Sequence, residues 1–157
     1  MAKLTLPSIL DSIMNNFSIG EIVLGDSHTD NRGVLTFFNQ FDLGQIERFY
    51  TIKHENLEII RAWQGHKYEK KWFHVVNGSF KMVLVKPDDW SKPSCDLPYE
   101  EFEMHDMDSK ILYVPSGVAS GFKATTPNSK MIVFSDFSLD QSIADDYRFD
   151  KNLWYKW

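Results

Sequence analysis

The segment WFHVVNGSFKMVLV, residues 72–85, decides the fold class. Two runs rich in β-branched and aromatic residues flank the dipeptide Asn77-Gly78, a pair that two-residue type I′ turns prefer. Side chains of these types pack well on a pleated sheet. The segment therefore predicts two antiparallel strands joined by a tight hairpin, with the strands on either side of Asn77-Gly78.

Further short apolar runs occur on both sides of this segment, at spacings near ten residues, and turn-forming residues separate them. The other predicted strands are Ile19–Leu24, Val34–Phe38, Glu47–Ile52, Ile59–Trp63, Glu100–Met104, Lys110–Val114 and Lys130–Asp136, in addition to Lys71–Val76 and Phe80–Val85. Such spacing is typical of an all-β sandwich or barrel and not of alternating βα units. We predict a mostly-β barrel.

The two ends of the chain differ from this middle part. Residues Leu6–Phe17 predict a short helix, which we interpret as a packing or dimerisation element, because the apolar positions share one helical face. The aromatic-rich tail is predicted to be irregular. The expected organisation is an N-terminal helical segment, residues 1–18, followed by one β domain, residues 19–157.

Composition excludes several classes of protein. A chain of 157 residues with 43% hydrophobic and 25% charged residues suits one globular domain. The single cysteine, Cys95, excludes an intramolecular disulfide. A net charge of -5 argues against nucleic acid as a partner. The sequence has neither an apolar run of membrane-spanning length nor a secretory signal, so we expect a cytoplasmic protein without a membrane partner.

Polar residues cluster most densely between positions 61 and 80. The cluster contains Arg61, Gln64, His66, Lys67 and Lys71, with Trp63 and Trp72 beside them. Arginine and lysine at a barrel mouth bind phosphate, and aromatic rings beside them can stack on a base or a sugar. A solvated loop between two strands is the alternative interpretation. The sequence contains no GxSxG, P-loop, GxGxxG or calcium-loop motif, so those mechanisms lack support.

The order of motifs along the chain resembles a known group of proteins. DNRGVL at 30–35, IERFYTI at 46–52, RAWQGHK at 61–67, NGSFKMVL at 77–84 and LYVPSGV at 112–118 follow one another. This order resembles the small cupins that isomerise nucleotide-linked 4-keto-6-deoxysugars, over residues 20–150. The two groups it resembles are the dTDP-4-oxo-6-deoxyglucose 3,4-ketoisomerases and the dTDP-4-dehydrorhamnose 3,5-epimerases. The resemblance implies a cupin, or jelly-roll, barrel.

The resemblance also implies roles for individual residues. Arg61, His66 and Lys67 match the ketoisomerase pattern, and Lys71 matches a lysine of the epimerase pattern. Gln64 stands where both groups have a histidine that is the expected base, and Ser120 stands where the epimerases have a later histidine.

His66 and Lys71 are accordingly the expected catalytic residues, with Asp150 as a carboxylate that orients a histidine or lies on the surface. Arg61, Gln64, Lys67 and Arg32 are the expected contacts with the substrate. The resemblance implies an enzyme of deoxysugar and surface-polysaccharide biosynthesis that removes the proton next to the 4-keto group. Such removal gives an enediolate, which cationic groups stabilise.

Three functions remain open at this point. An amide cannot accept a proton near neutral pH, so either His66 replaces the missing base or the chain binds a nucleotide sugar without converting it. A metal-dependent cupin oxygenase is the third. Cupin metal sites need two histidines that this chain replaces with Gln64 and Ser120, so we expect no metal and no cofactor. We also expect a homodimer, because pairing closes exposed sheet edges.

Overall fold

The computed structural model describes residues 18–157, and strands dominate this part of the chain. The strands are β1 (Glu21–Leu24), β2 (Asp26–Asp30), β3 (Gly33–Phe37), β4 (Arg48–His54), β5 (Ile60–His66), β6 (Lys71–Asn77), β7 (Ser79–Val85), β8 (Tyr99–His105), β9 (Lys110–Val114), β10 (Val118–Ala124), β11 (Ser129–Ser135) and β12 (Tyr147–Arg148). A short 3-10 helix spans Leu43–Gln45, and helix α1 spans Leu139–Ala144. The predicted all-β class is confirmed.

Most of the strands form two antiparallel five-stranded sheets. The first sheet has the order β1-β9-β6-β11-β4, and the second has the order β12-β5-β10-β7-β8. Strands β2 and β3 pair only with each other and form a separate hairpin within the described part of the chain. Non-consecutive neighbours in both sheets mean that the chain crosses repeatedly from one sheet to the other.

The main core lies between the two sheets. Phe73 and Val75 of β6 face inward from the first sheet, and Phe80, Met82 and Leu84 of β7 face them from the second. These positions alternate along each strand, because successive side chains of a strand point to opposite faces. All five side chains are buried.

A second apolar cluster covers the outer face of the second sheet. Val83, Val85 and Trp63 form this cluster with Trp154 of the C-terminal tail, whose ring lies 5.4 Å from that of Trp63. The tail therefore buries the side of β7 that points away from the main core, which explains why β7 is apolar at nearly every position. Gly121 of β10 permits close approach of the tail, because a Cβ atom there would lie 2.7 Å from the Trp157 ring.

The structure corrects the predicted hairpin at Asn77-Gly78. Strand β6 pairs with β9 and β11, whereas β7 pairs with β8 and β10, so the dipeptide connects two sheets and not two paired strands. Gly78 has φ +74°, and its N–H donates to the side chain of Asp106 while its carbonyl accepts from the Asp106 N–H. A tight turn is present as predicted, but it forms a corner between the sheets.

Each of the nine predicted strands overlaps an observed strand. Strands β2 and β10 were not predicted, nor were helix α1 and β12 in the tail. Strand β10 contains Ala119, Ser120 and Gly121, residues with little preference for strands, and its place between β5 and β7 fixes its conformation. The predicted helix Leu6–Phe17 lies outside the described residues. Among residues 18–157, no helix is long and apolar enough to cross a lipid bilayer.

Candidate functional site

A polar cavity of about 430 Å³ opens between β4 of the first sheet and strands β5 and β10 of the second. Its size is within the range usual for small-molecule sites. The cavity is lined by Tyr50, Ile52, Ile60, Arg61, Ala62, Trp63, Gln64, Phe122 and Arg148. Two arginines, a phenol and an amide thus share one concave surface with several apolar side chains.

An irregularity in β5 brings two of the polar residues to this cavity. Gln64 lies opposite Ser120 of β10, but Arg61 lies opposite Phe122, so β5 contains one residue more than its partner over this stretch. Residues three apart on a regular strand point to opposite faces. The extra residue allows Arg61 and Gln64 to line the same cavity, as β-bulges commonly do beside functional sites.

Cationic groups surround Tyr50 at the wall of the cavity. The Arg48 guanidinium lies 5.0 Å from the centre of the Tyr50 ring, and the Lys71 ammonium lies 5.9 Å from it. Burial, together with the nearby Glu69 carboxylate, raises the pKa of Tyr50 to about 12. The Tyr50 side chain is therefore a neutral phenol at neutral pH and can donate a proton or a hydrogen bond.

The two arginines at the mouth differ in their partners. Arg148 Nε lies 2.9 Å from Asp146 Oδ1. The exposed side chain of Arg61 forms no ion pair and no hydrogen bond with the described residues. A guanidinium without a carboxylate partner, at the rim of a cavity, is well suited to bind an anionic ligand such as a phosphate.

Gln64 connects a cation to an anion along the cavity wall. Its Nε2 donates to Asp146 Oδ1 at 2.9 Å, and its Oε1 accepts from Lys71 Nζ at 3.4 Å. Although burial alone would raise the pKa of Asp146, the hydrogen bonds from Gln64 and Arg148 lower it. The amide orientation is fixed by these two neighbours.

The imidazole of His66 lies behind the wall and does not line the cavity. Its Nδ1 lies 2.8 Å from the Asp145 carbonyl and 3.0 Å from Glu69 Oε2. Since both neighbours are acceptors, Nδ1 is the nitrogen that bears the proton. The other nitrogen, Nε2, is buried and has no partner among the described residues. The structure therefore places His66 as a buried contact of Glu69.

Glu69 is the most enclosed charged group of the site. The Ser135 hydroxyl donates to its Oε1 at 2.6 Å, and the Ser142 hydroxyl donates to its Oε2 at 2.8 Å. The side chain is 0% exposed. Burial opposes ionisation, but the hydrogen bond from His66 and the charge of Lys71 outweigh it and lower the pKa of Glu69 to about 2. Glu69 is therefore a buried carboxylate anion.

Lys71 is the buried cation of the same group. Its side chain is 6% exposed, and its Nζ lies 3.9 Å from Glu69 Oε1. Burial lowers the pKa of Lys71 to about 8, with a smaller decrease from Arg48 and an opposing increase from Glu69. A lysine with such a pKa is partly a neutral amine near neutral pH, so it can accept as well as donate a proton.

The segment that follows α1 fastens the loop between β5 and β6. The Asp145 carboxylate accepts hydrogen bonds from the backbone N–H groups of Lys67, Tyr68 and Glu69, at 2.8 to 2.9 Å. The next residue, Asp146, supplies the acceptor for Gln64. The tail, predicted to be irregular, thus builds one side of the site.

Three residues expected at the site lie elsewhere. Lys67 extends outside the cavity, where its Nζ lies 4.8 Å from the centre of the Tyr147 ring. Arg32 is exposed on the β2–β3 hairpin, paired with Asp30.

Asp150 lies on the surface, which was one of its two predicted positions, and does not orient a histidine. Its carboxylate accepts from the Asn152 N–H in a local turn, and the carboxylate beside His66 belongs to Glu69. Of the expected residues, Arg61 and Gln64 line the cavity and Lys71 lies directly behind Gln64.

Five further residues of the site were not predicted from the sequence: Arg48, Tyr50, Glu69, Asp146 and Arg148. Arg48, Tyr50 and Ile52 occupy every second position of β4. Residues two apart on a strand share one face, so this spacing could have placed the three side chains together. Glu69 stands in a charged run that is typical of a solvated loop, and no local signal indicates its burial. Within the described part of the chain, no group of three or more His, Cys, Asp or Glu side chains is arranged to hold a metal ion.

Comparison with known proteins supports the fold. The sequence matches no protein-family model and no curated protein. Among solved structures, the chain is similar to an rmlC epimerase of Mycobacterium tuberculosis, with TM-score 0.72 and 18% identity over 90% of this chain and 76% of that chain. It is similar to the WlaRB TDP-quinovose 3,4-ketoisomerase of Campylobacter jejuni, with TM-score 0.66 and 20% identity over 85% and 95%.

A third similar structure is a mutant of the 3,4-ketoisomerase QdtA from Thermoanaerobacterium thermosaccharolyticum, in complex with TDP-4-keto-6-deoxyglucose. Its TM-score is 0.65, with 23% identity over 85% of this chain and 89% of that chain. The cupin-type fold implied by the sequence motifs is thus confirmed, as is the structural resemblance to both groups of sugar-nucleotide enzymes.

Proposed function

We propose that this chain is an isomerase or epimerase that binds a dTDP-linked 4-keto-6-deoxyhexose in the cavity and removes the proton next to the ketone. The observation that supports this most directly is that Lys71, Tyr50 and Arg61 lie close together, with Tyr50 and Arg61 in the cavity lining and Lys71 directly behind Gln64 of the wall. They are respectively an amine able to accept a proton, a neutral phenol and an unpaired guanidinium. Two of the similar structures described above are a TDP-quinovose 3,4-ketoisomerase and a 3,4-ketoisomerase in complex with TDP-4-keto-6-deoxyglucose.

The proposed chemistry begins with enolisation. The 4-keto group acidifies the proton on C3, and a base that removes it leaves an enediolate. Cationic groups and a phenol close to the ketone oxygen stabilise that negative charge. Return of the proton to the opposite face of C3 gives an epimer, whereas delivery to C4, with transfer of the O3 hydroxyl proton to O4, moves the ketone to C3. Both outcomes share the first step, which is the step that this site is proposed to catalyse.

Lys71 is the group best placed to transfer that proton. His66, the base expected from the sequence, lies behind the wall as Lys71 does, with a side chain 6% exposed in each case, but its Nδ1 is bound to two acceptors. Lys71 Nζ instead lies next to Gln64, which lines the cavity, and its pKa of about 8 permits the neutral amine. We assign Tyr50 to the ketone oxygen and Arg61, with Arg148, to the phosphates of the nucleotide.

A protein that binds the nucleotide sugar without converting it is the second candidate. Gln64 favours it, because an amide stands where the resemblance implies a histidine base. Proton NMR of dTDP-4-keto-6-deoxyglucose in D₂O separates the two. Deuterium entering C3 faster than in buffer supports the enzyme, and loss of that exchange in Lys71→Met supports Lys71 as the base. Line broadening that reports binding, with no exchange between pH 6 and 10, supports the binding protein.

We further propose that the chain forms a homodimer through the β2–β3 hairpin. Val34 and Leu35 of that hairpin are 62% and 63% exposed, and the hairpin pairs with no other described strand. A hairpin isolated in this way is marginally stable in water, and a second copy would cover it. Sedimentation equilibrium of wild type and of the Val34→Ser/Leu35→Ser variant tests this. A dimeric wild type and a monomeric folded variant are expected, whereas a monomeric wild type would refute the proposal.

A further inference from the structure

The buried carboxylate of Glu69 is bound by groups from five different elements. His66 comes from β5, Lys71 from β6, Arg48 from β4, Ser135 from β11 and Ser142 from α1. We infer that Glu69 is the positioning residue that holds the Lys71 amine behind the cavity wall. Its role in catalysis, as distinct from its position, rests on the function proposed above.

The two oxygens of Glu69 have different neighbours. Oε2 accepts from Ser142 and His66, which fix the plane of the carboxylate from one side. Oε1 accepts from Ser135 and faces the two cations, with Arg48 Nη2 at 3.6 Å and Lys71 Nζ at 3.9 Å. Hydroxyl and imidazole donors therefore orient the carboxylate, and its remaining surface faces the cations.

The distance to Lys71 matters for chemistry. At 3.9 Å the ammonium is attracted by the charge of Glu69 but is too far for a hydrogen bond. The nearest acceptor of Lys71 is Gln64 Oε1 at 3.4 Å, a long contact on the cavity side. Glu69 thus holds the amine in place by charge, and neither Glu69 nor Gln64 engages it in a short hydrogen bond.

The charge of Glu69 also favours the protonated, ammonium form of Lys71 against the effect of burial. A buried cation without an anion beside it loses its proton readily. The other charged groups that act on Lys71 are Arg48 from β4 and Asp146 and Arg148 from the tail. Of these three groups, the two arginines disfavour the ammonium and Asp146 supports it. Removal of the Glu69 charge should therefore leave Lys71 in a net cationic environment.

The test is a direct titration of Lys71 in the full chain without substrate. Lysine labelled with ¹³C and ¹⁵N is incorporated, and the Lys71 side-chain signal is assigned by its loss in Lys71→Arg. In Glu69→Gln, which keeps the shape of the side chain, the pKa of Lys71 should fall by about one unit or more, as expected for a unit charge near 4 Å in a protein interior. The control Glu55→Gln removes an exposed carboxylate and should leave it unchanged.

A second variant keeps the test valid if Glu69→Gln does not fold. Glu69→Asp keeps the charge but moves it away from Lys71, so it should give a smaller decrease in the same direction. An unchanged Lys71 titration in Glu69→Gln, or in Glu69→Asp where only that variant folds, would overturn the positioning role.

Deuterium exchange measured on the same proteins separates this inference from the proposed function. If the Lys71 pKa falls in Glu69→Gln but no protein enolises the substrate, the positioning role stands and the proposed function fails. If wild type enolises the substrate and Glu69→Gln changes neither the Lys71 titration nor the pH profile of exchange, the function stands and the positioning role fails.

Discussion

The side-chain amide of Gln64 donates a 2.9 Å hydrogen bond to Oδ1 of Asp146, 82 residues away in the chain. The side chain at position 64 therefore lies between an anion, Asp146, and a cation, Lys71. A carboxylate bound to one ring nitrogen of a histidine fixes its tautomer and leaves the other nitrogen as a base. Asp146 is placed to do this for a histidine at position 64.

Gln64→His is accordingly expected to accelerate C3 exchange in dTDP-4-keto-6-deoxyglucose. A positioned general base adds about 10²–10⁴-fold in rate, so an increase of about tenfold or more at pH 7 is expected even with imperfect placement. Initial rates of deuterium incorporation by NMR measure it. The double variant Gln64→His/Asp146→Asn should lose most of the gain. An unchanged rate in Gln64→His, with TDP binding intact, would contradict the role given to Asp146.

The exchange rate of the wild-type protein should rise with pH through about 8 and then level off, because only the neutral amine of Lys71 accepts a proton. Below that value the ammonium predominates, and each unit of pH lowers the neutral fraction about tenfold. Rates measured from pH 6 to 10, with the rate in buffer subtracted, give the profile. An inflection near pH 6.5, the ordinary value for histidine, would instead indicate an imidazole as the base.

Arg61→Ala should weaken TDP binding by about tenfold or more, because a charge-assisted hydrogen bond to a phosphate contributes about 1.5–3 kcal/mol. Isothermal titration calorimetry with TDP measures the change. Lys53→Ala is the matched control, since it removes an exposed cation that is paired with Glu55. Equal affinity in wild type and Arg61→Ala would show that the nucleotide binds elsewhere.

The dipeptide Asn77-Gly78 shows how far local sequence determined the fold. Turn chemistry predicted a reversal of the chain at this position, and the structure has one. The pairing partners depended on residues far away, because Lys130 occupies the place beside Asn77 and His105 the place beside Ser79. Local pattern thus located the strands, whereas their order in two sheets arose from contacts that no short segment contains.

In the site, too, some residues could be predicted from local sequence and others depend on distant contacts. Arg61 and Gln64 stood within a recognisable motif. They line the same cavity because β5 has one residue more than β10 between them, and the sequence did not indicate that extra residue. Glu69 lies in a run of charged residues, and its burial depends on two serines 66 and 73 positions later. Asp146 likewise reaches Gln64 only because the tail folds back along β5. Long-range contacts of this kind leave no periodic signal in the sequence.

Gly78→Ala should destabilise the protein more than Gly117→Ala does. Both glycines have similar positive φ angles, +74° and +79°, so both substitutions introduce backbone strain of about 1–2 kcal/mol. A Cβ atom at Gly78 would also collide with the Ser129 hydroxyl, whereas nothing lies within 4 Å of one at Gly117. Urea unfolding measures both free energies. An equal decrease in the free energy of unfolding of the two variants would show that Ser129 moves aside for the added Cβ atom at little cost.

His54 should make the fold sensitive to mild acid. Its side chain lies between the rings of Phe80 and Phe122, at centroid distances of 5.4 and 5.7 Å, and neither ring nitrogen has a partner among the described residues. Burial, with a smaller contribution from Arg61, lowers the pKa of His54 below its usual value. The unfolded chain therefore binds a proton at about pH 6.5 that the folded chain resists, and stability decreases as the pH falls below that value.

His54→Phe removes this proton linkage and the unpartnered nitrogens while it keeps an aromatic ring between Phe80 and Phe122. The variant should be more stable than wild type at pH 7.5, by about 1 kcal/mol, because a buried polar group without a partner is removed. The difference should widen at pH 5.0, where wild type must resist protonation of His54. Urea unfolding at both pH values measures it, with the exposed His105→Gln as control. A constant difference between the two pH values would show that His54 does not link folding to pH.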